Sequence, residues 1–178
     1  ATSEEFALST TIAVSAGWSS SDNLNTSRDS LMTAAQAPQN AAFVFGGHAG
    51  PTVTNSESYN GTAWTATNAL PVSKQLGGGA GTQTAALCFA GQTAPPAVNR
   101  STTESWDGSN WTAVSAPGGT LATARLNVGS AGVQGAALIF GGGPPTTATS
   151  EEWDGSNWST GGVLTRGTTG ADNICGAG

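Results

Sequence analysis

The octapeptide Ser105-Trp106-Asp107-Gly108-Ser109-Asn110-Trp111-Thr112 returns as Glu152-Trp153-Asp154-Gly155-Ser156-Asn157-Trp158-Ser159, a step of 47 residues. A looser copy, Ser58-Tyr59-Asn60-Gly61-Thr62-Ala63-Trp64-Thr65, lies another 47 residues upstream. A period of this length restricts the chain to architectures that stack one supersecondary unit on copies of itself, because one such unit cannot bury its apolar face alone. Asp-Gly and Asn-Gly favour tight hairpin turns, since these residues tolerate positive φ. Each copy therefore reads as two strands joined by a turn, with an aromatic residue on either side of it.

Upstream of each hairpin runs a short apolar segment closed by glycine: Ala41-Ala42-Phe43-Val44-Phe45-Gly46-Gly47, Ala85-Ala86-Leu87-Cys88-Phe89-Ala90-Gly91 and Ala136-Ala137-Leu138-Ile139-Phe140-Gly141-Gly142. Runs this short, rich in Val, Ile and Phe and bounded by Gly, predict buried strands rather than helices. Further upstream a basic residue follows a leucine by four: Leu24 to Arg28, Leu70 to Lys74, Leu121 to Arg125, with a looser match from Leu164 to Arg166. A Gly/Ala/Ser-rich stretch comes next, such as Leu126-Asn127-Val128-Gly129-Ser130-Ala131-Gly132, which predicts a strand of small residues crowded near an axis. One unit thus holds four strands: small-residue, apolar, Glu-x-aromatic and Trp.

This pattern resembles the kelch-type repeat, also seen in the central domain of galactose oxidase, in which each repeat is one four-stranded blade of a β-propeller. The marks are Phe45-Gly46-Gly47, Phe140-Gly141-Gly142, the aromatic-Asp/Asn-Gly turns, the Trp that follows and the basic residue that opens the next unit. The second copy departs from it with Ala90-Gly91, and the last with Gly176-Ala177-Gly178. Degenerate Gly/Thr-rich arrays of this kind in bacteriophage tail and environmental bacterial surface proteins are the most similar in style. The resemblance implies an all-β single domain over 1-178, with blades at about 21-67, 68-115 and 116-162.

The ends extend the pattern. Thr2-Ser3-Glu4-Glu5-Phe6 repeats Thr149-Ser150-Glu151-Glu152-Trp153, and Trp18 follows, so the N-terminal residues read as third and fourth strands without a first and second. Residues 166 to 178 read as a first and second strand. Joined, 163-178 and 1-20 make a fourth blade and close a ring, which removes exposed sheet edges. The alternative is an ordered piece of a longer array.

Composition narrows the function classes. Charged residues are 9% of the chain, against about 25% in ordinary globular proteins, and the formal net charge is −6. Without a Lys/Arg cluster there is nothing to neutralise phosphates, so nucleic acid is not expected as a partner. No run of 18 apolar residues is present, so no membrane insertion is expected. Cys88 and Cys175 hold matching positions in two copies and read as small buried residues, not a disulfide. Asn-x-Ser/Thr triplets at Asn25, Asn60, Asn99, Asn110 and Asn157 arise largely from the repeat and from composition.

Periodic residues serve the period. Glu4, Glu57, Glu104 and Glu151, with Arg28, Lys74, Arg125 and Arg166, are expected to pair and fix one blade to the next. Trp18, Trp64, Trp111 and Trp158 form one packing set, and Phe6, Tyr59, Trp106 and Trp153 another. Residues outside the period are better candidates for contact with a ligand or partner: His48, Pro51 and Thr52; Gln92, Pro95, Pro96, Asn99 and Arg100; Pro144 and Pro145. The loops that carry them follow the Gly-Gly strands and are expected on one face. An enzyme is not expected. His48 is the single histidine and has no Asp near it in sequence to orient it, no metal set is apparent, and the copper site of galactose oxidase needs more His and Tyr than one each. No cofactor is expected. The expected role is a structural or adhesive module of a larger extracellular or virion assembly (fibre, tail or surface component), with other structural subunits or identical copies as partners. A lectin-like domain holding a surface glycan on the loop face is the alternative.

Overall fold

The computed structural model describes residues 21–115, 117–144 and 146–165. They form an all-β structure of three four-stranded antiparallel sheets and one two-stranded hairpin. The first sheet contains β1 (Met32–Thr33), β2 (Phe43–Phe45), β3 (Ser56–Tyr59) and β4 (Trp64–Thr67), in that order, with a 3-10 turn (Gln39–Ala41) before β2. The second begins with β5 (Gly78–Thr82) and β6 (Ala85–Phe89). After the separate hairpin β7 (Gln92–Thr93) and β8 (Val98–Asn99), it finishes with β9 (Thr103–Trp106) and β10 (Trp111–Ala113). The third is β11 (Gly129–Val133), β12 (Ala136–Phe140), β13 (Thr149–Trp153) and β14 (Trp158–Val163).

The turns between the last two strands of each sheet follow from side-chain chemistry. Asp107 accepts the backbone N–H groups of Ser109 and Asn110 at 2.8 and 2.7 Å, and Asp154 those of Ser156 and Asn157 at the same distances. Asn60 does likewise for Thr62 and Ala63 at 2.9 Å. The next residue is glycine in each case, with φ of +91°, +94° and +98° at Gly61, Gly108 and Gly155. These turns set the register that pairs Tyr59 with Trp64, Trp106 with Trp111 and Trp153 with Trp158. The rings of each pair lie 5.1 to 5.4 Å apart, a separation at which aromatic contacts add to area burial.

Side chains alternate between the two faces of a strand, so a sheet covered on both faces needs a strand that is apolar at every position. The second strand of each unit is that strand. Phe43 and Phe45 of β2 point towards the second sheet, where Phe43 packs on Trp106 and Trp111 at 5.1 and 5.8 Å and Phe45 on Trp111 at 4.8 Å. Ala86 and Cys88, from the facing side of β6, complete that layer. Leu87 and Phe89, on the opposite side of β6, pack with Ala137, Ile139 and Trp153 of the third sheet. Burying each such Leu or Phe contributes about 1.5–3 kcal/mol, and two layers of them hold the three sheets together.

The small-residue strands meet at one edge. Ser130 of β11 donates to the Gly79 carbonyl of β5 at 3.0 Å, and Gln36 donates its N–H to the Gly81 carbonyl at 2.8 Å. A Cβ on Gly79 would run into the Thr33 carbonyl of the first sheet. The glycines are there because neighbouring sheets approach to backbone contact. The first sheet departs from expectation: its small-residue strand is reduced to two residues, Met32 and Thr33, and the Met32 side chain fills the space against Cys88. The Ala90 departure is absorbed without a change of path. Ala90 takes φ +59°, close to +63° and +64° at Gly46 and Gly141.

Candidate functional site

Among the described residues, three periodic basic residues meet periodic glutamates, and the pairs are buried. Arg28 bonds Glu57, Lys74 bonds Glu104 at 2.5 Å, and Arg125 bonds Glu151 at 2.8 Å, with the cationic side chains 0% exposed. Both partners belong to the same unit, which corrects the expectation that they join one unit to the next. The basic residue lies on the segment that leads into the sheet, and the glutamate lies on its third strand. Glu57 also accepts the N–H of Asn25 at 2.7 Å, and Glu151 that of Ala122 at 2.8 Å, each three residues before the basic one. In the second unit that position is Pro71, which has no N–H. There Thr102 donates its hydroxyl to Glu104 at 3.2 Å instead, while Lys74 also reaches the Thr102 carbonyl at 3.1 Å. The carboxylate is thus a clamp on the incoming segment.

Burial alone would raise the pKa of Glu57, but hydrogen bonds from Arg28 and Asn25, with the Arg28 charge, outweigh it and hold the carboxyl below its ordinary value. Burial lowers the pKa of Arg125, and Glu151 works against that shift. A carboxyl whose folded pKa is depressed stabilises the fold fully above its unfolded pKa, near 4.5. That contribution is lost as pH falls through the lower folded value. Stability measured by urea unfolding should therefore decline below about pH 4.5, and Glu57→Gln should show a shallower acid decline. Identical pH dependence in both proteins would rule out this contribution.

Two periodic tryptophans and two glutamines connect neighbouring sheets. The Trp111 indole donates to Ser56 of the preceding sheet at 3.1 Å, and the Trp158 indole to Thr103 at 2.8 Å. Gln83 and Gln134, at the tips of β5–β6 and β11–β12, reach the Tyr59 and Trp106 carbonyls of the preceding sheet at 2.8 and 2.5 Å. The glutamines had a legible signal, since each stands immediately before a Thr-Ala-Ala or Gly-Ala-Ala step into the apolar strand. Burial pushes the Cys88 thiol well above its ordinary pKa, which makes it a packing residue and not a nucleophile. Glu4, Trp18, Arg166, Pro145 and Cys175 lie outside the described residues. Leu164 donates to the Ala148 carbonyl as Leu70 does to Thr54 and Leu121 to Ser101.

The non-periodic loops are brought together. The Thr52 N–H and hydroxyl both donate to the Ala94 carbonyl, at 3.4 and 2.8 Å, and the Ala94 N–H returns to the Thr52 hydroxyl at 3.2 Å. Asn99 donates to the Pro144 carbonyl at 3.2 Å, which joins the β7–β8 hairpin to the third loop. Within the hairpin, Gln92 donates to Asn99 at 3.2 Å and Arg100 to Thr93 at 3.4 Å. Pro51, Pro95, Pro96, Val98 and Pro144 are exposed along this rim. The reading of 92–100 as a plain loop missed the β7–β8 pairing. His48 pairs by backbone with Asp29, whose carboxylate lies 4.0 Å from Nδ1. An acidic neighbour therefore exists in space, although 19 residues away in sequence. Both side chains are exposed, at 37% and 75%, an open setting unlike that of an oriented catalytic base.

Among the described residues no three His, Cys, Asp or Glu side chains gather in a way that could hold a metal ion, and no helix is long and apolar enough to cross a membrane. Compared with known proteins, the sequence matches no family model and no curated relative.

Proposed function

We propose that this chain is a non-enzymatic structural or adhesive module of a larger extracellular or virion assembly, and that its three sheets are kelch-like blades of a β-propeller closed as a ring of four. The observation that carries this reading is the joining of loops from three successive units into one rim. The Thr52–Ala94 and Asn99–Pro144 bonds make that rim continuous. By contrast, the recurring charged groups are engaged inside the units as buried pairs. A rigid frame with a low-charge, proline-edged rim suits contact with another protein surface, where few charges need desolvation. Its partners on this reading are other structural subunits or identical copies.

The test is the native mass of the protein isolated from its source, measured by light scattering during size exclusion. A particle containing many copies in fixed ratio to other subunits supports the module. A single free chain that binds a defined sugar on a glycan array, with binding lost in a Gln92→Ala/Asn99→Ala/Arg100→Ala variant, would transfer the assignment to a lectin.

A further inference from the structure

Asn60 stands where the other two units carry Asp107 and Asp154. In all three turns the side-chain oxygen accepts two backbone N–H groups. Those of Thr62 and Ala63 lie 2.9 Å from Asn60 Oδ1, and the corresponding distances at Asp107 and Asp154 are 2.8 and 2.7 Å. The glycine that follows has nearly the same φ in each unit, +91° at Gly61 against +94° and +98°. One turn thus accepts an amide or a carboxylate. It favours the charged form, because the N–H groups of Asn110 and Ser109 hold the Asp107 carboxyl below its ordinary pKa, and those of Asn157 and Ser156 do so at Asp154.

Three groups of the Asn60 turn are placed for loss of the side-chain amide. The two N–H donors polarise its carbonyl, and they lie where negative charge grows when Cγ becomes tetrahedral. The Gly61 nitrogen is the neighbouring nucleophile. No Cβ on its own residue hinders its approach, and its N–H has no acceptor among the described residues. The Asn60 side chain is held only through Oδ1, which leaves the departing Nδ2 group without a partner among the described residues. Asn60 and Gly61 are both exposed. Theirs is the single Asn-Gly step in the chain. At Asn40 and Asn157, by comparison, the following nitrogen is engaged: Ala41 donates to the Pro38 carbonyl at 2.9 Å and Trp158 to the Gly118 carbonyl at 3.1 Å.

We infer that Asn60 is a site of spontaneous modification, at which the chain's own turn promotes conversion of the side-chain amide to a carboxylate. The Gly61 nitrogen gives up its proton and bonds to Cγ. The Cγ–Nδ2 bond breaks, and Nδ2 takes up a proton and leaves as ammonia. Water then opens the cyclic imide. Cleavage between the Gly61 nitrogen and Cγ yields aspartate, whereas cleavage between that nitrogen and the backbone carbonyl carbon yields an isoaspartyl link. The net change consumes one water and releases one ammonia, without oxidant or cofactor. The first product gives all three turns a carboxylate with the same two donors. The second lengthens the backbone between Tyr59 and Gly61, and so disturbs the register that pairs Tyr59 with Trp64. This chemistry is independent of the assembly proposed above.

The experiment incubates the folded full chain at mildly alkaline pH, beside the same chain unfolded in guanidinium chloride, and follows each asparagine by peptide mass spectrometry. The expected result is conversion of Asn60 in the folded chain at a rate no more than about tenfold below that of the unfolded chain, with Asn40 and Asn157 retained as amides. A slower folded-state rate shows that the turn protects the amide and overturns the inference, as does equal conversion at Asn40 or Asn157. The Asn60→Asp variant checks the repeat comparison by itself. Its Tm should lie within about 5 °C of the wild type. A larger fall overturns the equivalence of the three turns, and the inference with it.

Discussion

Glu104→Ala is expected to lower stability by about 3–5 kcal/mol, because it leaves the Lys74 ammonium buried without its counter-charge. At this chain length that corresponds to a fall in Tm of roughly 10 °C, measured by circular dichroism. The loss has two physical parts. Lys74 is fully buried, and its remaining partner is the Thr102 carbonyl at 3.1 Å. Its carbonyl, moreover, holds the Gly47 N–H of the preceding sheet at 2.7 Å, so loosening Lys74 also loosens the join between sheets. The double change Lys74→Met/Glu104→Leu removes both charges and should recover most of the loss, since a buried pair is often no more stable than well-packed apolar residues. A single change costing less than about 1 kcal/mol would indicate a solvated pair, contrary to the geometry described.

Trp106→Ala is expected to cost a similar 3–5 kcal/mol. Trp106 is 2% exposed and fills the layer between the first two sheets, with its ring 5.1 Å from Phe43 and 5.4 Å from Trp111. Truncation opens a cavity and also removes the indole N–H that bonds the Gln83 carbonyl at 3.0 Å. Trp106→Phe keeps most of the ring volume and gives up that hydrogen bond, for an expected loss of about 1 kcal/mol. Urea denaturation of the pair separates packing from hydrogen bonding. Equal losses in the two variants would mean that the hydrogen bond, and not the ring, carries the effect.

The sequence made the local structure legible wherever a few adjacent residues determine it. Asp107-Gly108 and Asn60-Gly61 encode their own turn, because the side chain accepts two backbone N–H groups within three residues. Phe43-Val44-Phe45 encodes a strand covered on both faces, and Glu57, Glu104 and Glu151 announced a pairing role by recurring. Partners were less legible, because pairing across about 30 residues depends on the path of the segment between them. Hence Lys74 was expected to reach across to another unit, whereas it folds back on its own third strand. Asp29 and His48, 19 residues apart, meet through a backbone bridge that neither side chain advertises. The β7–β8 pairing within 92–100 was hidden for a different reason. Gln-Thr and Val-Asn are too short to show alternation, and their pairing draws support from Gln75 and Thr52 outside the segment. Among the site candidates, the loops stood out in the sequence because they break the period, whereas the hydrogen bonds that join them did not.

The glycine-packed edge has a consequence for size. Where β5 meets its neighbours, the sheets sit close because Gly79 puts no side chain of its own between its backbone and the Thr33 carbonyl or the Ser130 hydroxyl. On the propeller reading proposed above, gathering more sheets around one centre would move their inner strands apart, and only larger side chains could refill the gap. Duplicating a 47-residue unit would therefore lengthen the chain without giving a stable larger assembly, unless positions such as Gly79 and Ser130 gained bulk at the same time. On this view, the side-chain volume of the first strand is the chain's counting rule.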